Sequence, residues 1–328
     1  MADYKTIKGF KIKSLASDPT VDKGQLWYNT TSKTLKYDTV GSSGTWAATT
    51  AVPTAVETAA AFGTATSGML VGGMVQPPAV AQDTSFSFNG TAWTEEATLN
   101  TARRFFPGIG ATNTAGLVVG GAPPSMALTE VYNGTSWTEV NPINRNVDGC
   151  GGAGGTVTAG IIAGGEPGPK AETETWDGTN WTEVGDMNSG KNVAGGASAG
   201  SPTAFQIAAG DPGYTATTEQ YNGTAWTEVG DLNVGKSAVG AGGTTTSMVV
   251  FGGVTSPPVT GSATTESWNG TSWAEVGDLA LARMYVGVYN GTGTSALCIS
   301  GRGNLLPTYT NVEEYDGEPV VVKTVTTS

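Results

Sequence analysis

A short motif, in which an aromatic residue is followed by Asn or Asp and then by Gly, recurs six times along this chain. Its copies begin at Phe88, Tyr132, Trp176, Tyr221, Trp268 and Tyr315. The first five copies continue with Thr, one further residue and a Trp, and these Trp residues are 44, 44, 45 and 47 residues apart. A fixed period of this length indicates a repeat protein, in which each unit buries its apolar face against its neighbours.

Each period contains the signals of four strands. A Gly-rich apolar segment comes first, and a hydrophobic stretch that ends in small residues follows, as at 118–121 and 250–253. A longer loop then leads to a third strand that ends in the aromatic residue, and the fourth strand carries the Trp. Asn-Gly and Asp-Gly favour type I′ hairpin turns, so we expect the third and fourth strands to be antiparallel neighbours.

The composition is that of a chain with many short strands. It has 328 residues, 49 of them Gly, with 38% hydrophobic and only 13% charged residues. No window shows a sustained helical apolar stripe, and no apolar run approaches the roughly 20 residues that cross a bilayer. The N-terminus lacks the apolar segment of a secretory signal. The sequence therefore predicts an all-β protein without membrane insertion or a signal for export.

The paired glycines, the spaced aromatic residue and Trp, and the period near 45 resemble kelch-type β-propeller repeats over residues 50–318. The compact Asn-Gly-Thr-x-Trp-Thr-Glu turn departs from the commonest kelch pattern and resembles propeller-like structural proteins of tailed bacteriophages. Residues 24–37 resemble a hairpin module that is common in phage tail-fibre proteins. The resemblance implies a virion structural protein, such as a tail or capsid appendage.

The sixth repeat has no Trp after Tyr315-Asp316-Gly317, whereas an unpaired Trp46 lies near the start of the chain. The simplest closure lets the strand around Trp46 complete the last blade, which removes two exposed sheet edges and gives a six-bladed propeller. The alternative uses residues 320–323 as that strand and assigns residues 26–49 to a seventh partial blade or a separate docking module. We expect an N-terminal arm and hairpin over residues 1–36 and a propeller over residues 37–328.

Charge is divided unevenly between these parts. Residues 1–36 hold seven lysines against three acids, whereas the rest holds nine basic residues against 25 acids, so the balances are +4 and −16. An acidic body repels phosphate backbones, which argues against nucleic acid as a partner. We expect the arm to anchor the protein on other virion proteins in a multimeric assembly, through Lys5, Lys8, Lys11 and Lys13.

The loops between the second and third strands vary in sequence, and every one of them contains proline. Stiff, variable loops on a rigid scaffold are the usual place for binding. The candidate binding residues are Pro77, Pro123, Pro167, Pro212, Pro257 and Pro307, together with Trp27, which lies outside the repeat. The alternative reading is that each proline merely ends a strand.

Five repeats carry a basic residue before the first strand and a Glu two residues before the hairpin aromatic. The basic positions are Arg103 or Arg104, Arg145, Lys191, Lys236 and Arg283, and the acids are Glu130, Glu174, Glu219, Glu266 and Glu313. The first repeat has Val56 or Thr58 and Phe86 instead, so charge and countercharge are lost together. This predicts structural ion pairs rather than a ligand site, because a buried charge without its partner is costly. The repeated Trp residues are predicted to be core.

Catalysis is not expected. Histidine is absent from the chain, which removes the ligands that kelch-like copper oxidases need, and the acids are spread around the repeats instead of converging. Cys150 and Cys298 are expected to be free structural thiols. We therefore predict a non-enzymatic virion component, made in the host cytoplasm, with no cofactor and no metal. The alternative is a receptor- or glycan-binding propeller that acts through the proline loops on a host surface.

Overall fold

The structure is a computed structural model that describes residues 6–7, 10–11, 13–16, 26–38, 44–192, 195–196, 201–255, 260–288, 291–304, 308–317 and 322–324. These residues form strands, turns and loops, with no helix among them, so the prediction of an all-β protein is confirmed. The chain divides into two compact units. Unit 1 comprises Met1–Gly44 and Gly317–Ser328, and unit 2 comprises Thr45–Asp316.

Unit 1 contains short strands from both ends of the chain. Its first strands are β1 (Thr6–Ile7), β2 (Phe10–Lys11), β3 (Lys13–Leu15), β4 (Leu26–Asn29) and β5 (Thr34–Asp38). β1 pairs with β2, β3 runs parallel to β4, and β4 pairs antiparallel with β5. The hairpin predicted within residues 24–37 therefore forms, and the Asn29 side chain accepts two backbone N–H groups in its turn. The expected boundary after residue 36 lies inside β5.

Unit 2 consists of four-stranded antiparallel sheets, which we number 1 to 6 along the chain. Sheet 1 has β7 (Ala60–Thr64), β8 (Ser67–Val71), β11 (Ser85–Phe88) and β12 (Trp93–Glu95), with the small hairpin β9 (Met74–Val75) and β10 (Val80–Ala81) in its long loop. Sheet 2 has β13 (Gly108–Thr112), β14 (Ala115–Val119), β15 (Thr129–Tyr132) and β16 (Trp137–Val140). Sheet 3 has β17 (Gly151–Thr156), β18 (Ala159–Ala163), β19 (Thr173–Trp176) and β20 (Trp181–Val184).

The remaining sheets repeat this order. Sheet 4 has β21 (Gly195–Gly196), β22 (Phe205–Ala208), β23 (Thr218–Tyr221) and β24 (Trp226–Glu228), and sheet 5 has β25 (Gly240–Thr244), β26 (Ser247–Phe251), β27 (Thr265–Trp268) and β28 (Trp273–Glu275). Sheet 6 has β29 (Gly287–Val288), β30 (Ser295–Ile299), β31 (Val312–Asp316) and, as its fourth strand, β6 (Thr45–Thr49) from the start of the unit. The last strand of the chain, β32 (Val322–Thr324), pairs with β5 in unit 1.

Successive sheets of unit 2 contact each other through their first strands. β7 contacts β13, β13 contacts β17, β17 contacts β21, β21 contacts β25, β25 contacts β29, and β29 contacts β7. The second strands are almost completely buried between these contacts, as shown by Leu117, Ile161 and Val249, each 0% exposed. The apolar core of unit 2 is therefore a series of layers between neighbouring sheets.

Four of the five repeated Trp residues are core residues, as predicted, whereas Trp93 is only partly buried. Trp137, Trp181, Trp226 and Trp273 are 5–7% exposed, and each ring packs against the aromatic residue across its own hairpin at 5.1–5.5 Å between centroids. Each indole N–H also donates to a hydroxyl on the third strand of the preceding sheet, at 3.0–3.2 Å. Each of these four Trp residues therefore joins two sheets, which explains why the Trp recurs along the chain.

The turn between the third and fourth strands differs from the predicted type I′ turn. In sheet 1 it has four residues between Phe88 and Trp93, and only Gly90 has a positive φ, of 95°. The side-chain oxygen of Asn89 accepts the N–H groups of Thr91 and Ala92 at 3.0 and 2.9 Å. Asn is thus used for its side-chain acceptor, and only Gly supplies the unusual backbone angle.

The two small residues after each second strand have different backbone requirements. The first has φ between 57° and 77°, and there Ala209 and Ser300 replace the glycine found in the other sheets. The second has φ between 87° and 114° and is always glycine. The first range lies in the left-handed region that an L-residue tolerates, whereas the second is accessible only without a Cβ atom.

Candidate functional site

The long loops and the segments that precede the first strands lie at the same end of the sheets of unit 2. Isolated bridges join the two segments in each sheet: Glu57 to Met74, Arg104 to Ala122, Asp148 to Glu166, Asn192 to Asp211, Ser237 to Val254 and Met284 to Arg302. We call this end the loop face. It carries the loops that sequence analysis selected as candidate binding loops.

The prolines of these loops are exposed where the structure describes them. Pro77, Pro123, Pro167 and Pro212 are all exposed, and each takes part in a cis peptide bond. The loop of sheet 1 also exposes Val80, of which 49% is accessible to solvent. Pro257 and Pro307 lie outside the described residues. The described loops therefore present apolar, proline-containing tips to solvent.

The other predicted site residues are in unit 1. Trp27 is 1% exposed, so its indole ring offers no open face on which a sugar could stack. Lys11 and Lys13 lie in β2 and β3. Lys5 and Lys8 lie outside the described residues.

A cavity of about 110 Å³ opens at the loop face, where residues just before the first strands come together. Its lining includes five residues that occupy one position of the repeat, with φ between 53° and 63°: Thr58, Phe105, Gly149, Ala238 and Tyr285. These positions are linked by backbone hydrogen bonds, because Tyr285 N–H donates to Ala238, Thr58 to Tyr285, Phe105 to Thr58 and Gly149 to Phe105, at 2.8–3.1 Å. The two aromatic rings, Phe105 and Tyr285, thus line one side of the cavity, and Gly149 and Ala238 contribute small residues to its lining.

Two guanidinium groups flank the aromatic half of the cavity. The Phe105 and Tyr285 rings meet edge to face at 5.8 Å, with Arg104 over Phe105 at 5.4 Å and Arg302 over Tyr285 at 5.1 Å. Arg302 is neutralised by Glu57, whose Oε2 lies 3.1 Å from its Nε. Burial raises the pKa of the Tyr285 hydroxyl above its ordinary value, so this group is a neutral hydrogen-bond donor.

Cys150 also lines the cavity, and it is a free thiol, as is Cys298. Burial raises the pKa of each thiol to about 12. Because the thiolate is the reactive species, these side chains are poor nucleophiles near neutral pH.

The repeated basic residues that were predicted to form structural ion pairs are largely buried. Arg103, Lys236 and Arg283 have side chains that are 0% exposed. Arg103 pairs with Glu130, Arg283 with Glu313, Arg145 with Glu174 at 3.3 Å and Lys236 with Glu266 at 3.6 Å. The prediction of structural ion pairs is confirmed for these four repeats.

The fifth pair is looser. The ammonium group of Lys191 donates to the Thr217 carbonyl at 3.0 Å. The negative charge of Glu219 attracts this ammonium group electrostatically and raises its pKa. Desolvation lowers the pKa of both Lys191 and Lys236, and the nearby glutamates oppose that effect only in part. The pairs therefore stabilise charges that burial would otherwise disfavour.

In four of the five repeats the pair has a third member that was not predicted, an Asn, whereas in sheet 6 Ala280 occupies this position and donates only its backbone N–H, to Glu313 at 2.7 Å. Asn100, Asn144, Asn188 and Asn233 each donate both their backbone and side-chain N–H groups to the paired Glu, at 2.7–3.0 Å. Each Asn stands three residues before the buried basic residue or, in sheet 3, before Val147. Sheet 1 has Pro53 at this position, which lacks the N–H, and it also has Val56 and Phe86 in place of the charged residues, so the whole network is absent there. The recurrence of Asn in four repeats was the available signal.

These observations define an all-β repeat protein with four-stranded antiparallel sheets and a cavity at its loop face. No protein-family model matches the chain, and a search of the curated proteins finds no significant similarity. Within the described ranges, no helix has the length and apolar character needed to span a bilayer. The same ranges contain no cluster of three or more Cys, Asp or Glu side chains arranged to hold a metal ion.

Proposed function

We propose that this protein is a non-enzymatic structural component of a tailed-bacteriophage particle, a tail or capsid appendage that docks through unit 1 and displays a six-bladed β-propeller. The observation that carries the proposal is the construction of unit 1 from both chain ends, since β32 pairs with β5. In the sequence, the whole of unit 2 therefore lies between β5 and β32, which are neighbouring strands of a small sheet in unit 1. Such an arrangement suits an attachment module that carries a display domain.

The six-bladed architecture is supported by how sheets 6 and 1 meet. β6 supplies the fourth strand of sheet 6, and β29 of that sheet contacts β7 of sheet 1. Thr58 of sheet 1 donates its N–H to the Tyr285 carbonyl of sheet 6 at 2.8 Å, as neighbouring sheets do elsewhere. These contacts favour closure through Trp46 over the seven-bladed alternative.

A non-catalytic role is supported by the use of the repeated charged residues. Glu130, Glu174, Glu266 and Glu313 are committed to buried ion pairs, and the Asn donors occupy further lone pairs in three of these repeats. A general acid or base must reach a substrate proton, and these carboxylates lie inside the sheets. The charges thus stabilise the repeat.

The docking role of unit 1 is supported by charge and by resemblance. The N-terminal segment has a balance of +4, opposite to the remainder of the chain, and residues 24–37, which resemble a module of phage tail-fibre proteins, contain the hairpin of β4 and β5. Opposite charges guide association between protein surfaces. An acidic surface on another virion protein is the corresponding partner.

A second candidate function is recognition of a host receptor or glycan by the loop face. It is favoured by the four exposed proline loops and by Val80, an apolar side chain left half exposed. Rigid loops that differ from sheet to sheet provide an asymmetric surface, as recognition of one partner requires. The two functions are compatible in one appendage protein.

The test begins with particles of the virus that encodes the chain, labelled with an antibody against unit 2. Wild-type protein is then compared with a variant in which Lys5, Lys8, Lys11 and Lys13 are changed to Glu. We expect wild type to be found on particles and the charge-reversed variant to be lost from them. Lys170→Glu, a single charge reversal in unit 2, serves as the control that should still be incorporated.

Absence of the wild-type protein from purified particles would rule out the structural role. If the charge-reversed variant is lost from particles while purified protein still binds host cells, both functions stand and are separate. If that variant is incorporated normally, the lysines do not anchor the protein. A Val80→Asp variant that is incorporated but loses cell binding would assign recognition to the loop face.

A further inference from the structure

Five of the six fourth strands of unit 2 carry an exposed glutamate two residues after the Trp. These glutamates are Glu95, Glu139, Glu183, Glu228 and Glu275. Each fourth strand stands at the end of the strand order of its sheet and is therefore an edge strand. Charged side chains on an edge strand hinder other strands from pairing with it. In sheet 6 the equivalent residue is Ala48, and β6 contains no charged residue.

The ion-pair network does not account for these edge glutamates. Sheet 1 lacks the network and yet has Glu95, which lies across from Phe86. Sheet 6 has the buried pair of Arg283 and Glu313, and there Ala48 lies across from Glu313. The two features thus vary independently, so the ion pair does not require a glutamate on the edge strand. Protection of the edge explains the glutamate in all five sheets, and β6 lacks this protection.

The unprotected residue directs its backbone away from its own sheet. In sheet 1, the Glu96 N–H donates to the Ser85 carbonyl, so these two residues form a hydrogen-bonded pair. Bonded and non-bonded pairs alternate along antiparallel strands, so Glu95 in the next pair, with Phe86, turns its N–H and C=O away from β11. Ala48 has the same position in β6, two residues after its Trp. Its backbone groups therefore face the open edge of sheet 6.

The edge formed by β6 is accessible and extended. β6 has five residues, whereas the other fourth strands have three or four. Ala47 and Ala48 are exposed, and residues 39–56 contain no charged side chain. An exposed, uncharged edge strand is a template on which another strand can pair.

We infer that two copies of this protein associate by antiparallel pairing of β6 with β6, centred on Ala47. In this register Thr45 lies across from Thr49 of the second copy, and Trp46 lies across from Ala48. A large side chain thus meets a small one, and two hydroxyl side chains meet each other. Trp46 and Ala48 direct their backbone groups outward, so the two strands form about four backbone hydrogen bonds.

A second copy fits this edge because the pairing brings no like charges together. The exposed Glu314 lies across from Ala47, so the two Glu314 side chains are separated by three strand spacings. This distance is about 14 Å, beyond the screening length of about 8 Å at physiological ionic strength. Self-pairing of any other fourth strand would bring two glutamates close to each other. The inference concerns sheet 6 alone and does not depend on the proposed docking through unit 1.

Self-association is measured on the full-length protein by sedimentation velocity and light scattering over a wide concentration range. We expect the dimer fraction of wild type to rise with concentration. Ala48→Glu introduces the glutamate that the other five sheets have, and in the dimer the two new carboxylates are diagonal neighbours at about 7–8 Å. This variant should weaken dimerisation about tenfold or more. Ala225→Glu adds the same charge at an exposed turn of sheet 4 and should dimerise as wild type does.

A mixing experiment tests whether the partner is a second β6. Ala48→Lys alone should also associate weakly, because two like charges again meet across the two strands. An equimolar mixture of Ala48→Glu and Ala48→Lys should recover dimers, since opposite charges are then diagonal neighbours. A general effect of net charge on another surface would not depend on residue 48 in this way.

A disulfide tests the register. Ala47 lies across from its own copy in a non-bonded pair, in which the Cα atoms are about 4.5 Å apart, a distance that a disulfide can span. Ala47→Cys should therefore form covalent dimers under mild oxidation. Thr138→Cys, at the equivalent exposed position of β16, is the control and should remain monomeric.

Thermal melting of each variant confirms that it is folded before association is compared. The inference is overturned if wild type stays monomeric at every concentration, or if folded Ala48→Glu associates as tightly as wild type. It is equally overturned if Ala225→Glu weakens association as much as Ala48→Glu does. Failure of the mixed variants to recover dimers, or equal crosslinking of Ala47→Cys and Thr138→Cys, would also exclude pairing through β6.

Discussion

The indole N–H of Trp46 donates to the hydroxyl of Thr265 at 3.0 Å, although the two residues are 219 positions apart. The same link joins Trp137 to Ser85, Trp181 to Thr129, Trp226 to Thr173 and Trp273 to Thr218. Trp93 differs, because Val312 occupies the corresponding position in sheet 6 and offers no hydroxyl. Its N–H bonds instead to the Thr50 carbonyl at 2.9 Å. Trp46 therefore occupies, in sheet 6, the position of the repeated Trp that the sixth repeat itself lacks.

A disulfide between β6 and β31 should stabilise sheet 6, because it links the third and fourth strands of that sheet. Ala47 and Glu314 are exposed cross-strand partners, so Ala47→Cys with Glu314→Cys places two thiols within bonding reach. We expect the bond to form under oxidation and to stabilise the protein by about 3 kcal/mol. Melting with and without reductant measures this change.

The matched control for that disulfide combines Ala47→Cys with Glu95→Cys, an exposed site on β12 of sheet 1. These strands are not paired, so no bond should form within one chain. Efficient bonding in the control, or none in the β6–β31 variant, would contradict the assignment of β6 to sheet 6.

Removing the carboxylate of Glu219 should destabilise unit 2 strongly. This side chain is 1% exposed, and it accepts the N–H and the amide of Asn188 at 2.7 and 2.8 Å while facing the Lys191 ammonium. Glu219→Ala leaves a buried cation and two donors without their acceptor, and we expect a loss of about 3–5 kcal/mol in the free energy of unfolding. Urea titration followed by Trp fluorescence measures the loss.

Glu228 provides the comparison, because it lies directly across from Glu219 on the exposed edge strand β24. Glu228→Ala should leave the free energy of unfolding nearly unchanged. Equal stability of the two variants would mean that the buried network contributes little.

Raising the pH should reduce the free-energy cost of burying the Lys236 side chain, because the buried amine loses its charge more readily. Burial lowers its pKa below the ordinary value of 10.5, so between the two values the unfolded chain binds more protons than the folded one. The contribution of Lys236 to stability therefore rises as pH increases through that window. Relative to Lys236→Met, wild type should gain stability on going from neutral pH towards 10.5.

Paired denaturation curves of wild type and Lys236→Met at several pH values check the sign. The half-exposed Lys170 supplies the control, since Lys170→Met should follow wild type at every pH. A wild type that instead loses stability relative to Lys236→Met would show that the Glu266 pairing outweighs desolvation.

The two thiols should resist alkylation in the folded protein. With a pKa of about 12 rather than 9.0, each thiol is about a thousandfold less ionised near pH 8. Mass spectrometry of iodoacetamide-treated protein should show slow modification of Cys150 and Cys298 until denaturant is added. Rapid native modification of Cys150 alone would indicate that the cavity wall opens readily.

The repeat was visible in the sequence because each period needs the same contacts. The φ-restricted glycine recurs in all six sheets and the buried Glu in five of them, because each has the same structural role wherever it occurs, and the spacing of the aromatic residue and the Trp predicted four-stranded units. The turn conformation was mispredicted because Asn-Gly also suits a four-residue loop in which the Asn side chain replaces backbone acceptors. A local pair of residues does not determine loop length.

The cavity could not be predicted, because it arises from differences between repeats. Arg103 and Arg104 are adjacent and chemically identical in the sequence, and only the bridge of Arg104 to Ala122 separates the buried arginine from the one at the loop face. Likewise, Phe105 and Tyr285 are distant in the chain and meet only through the hydrogen bonds around Thr58. Such contacts depend on tertiary arrangement.

The placement of β5 beside β32 has an evolutionary consequence. The polypeptide leaves unit 1 after β5 and returns to it at β32, the strand that pairs with β5, so the pairing within unit 1 does not fix the number of sheets between these points. A lineage that duplicated or deleted one period would change unit 2 while the pairing of β5 with β32 remained the same. Loop sequences could diversify under selection in the same way, one period at a time, without any compensating change at the termini.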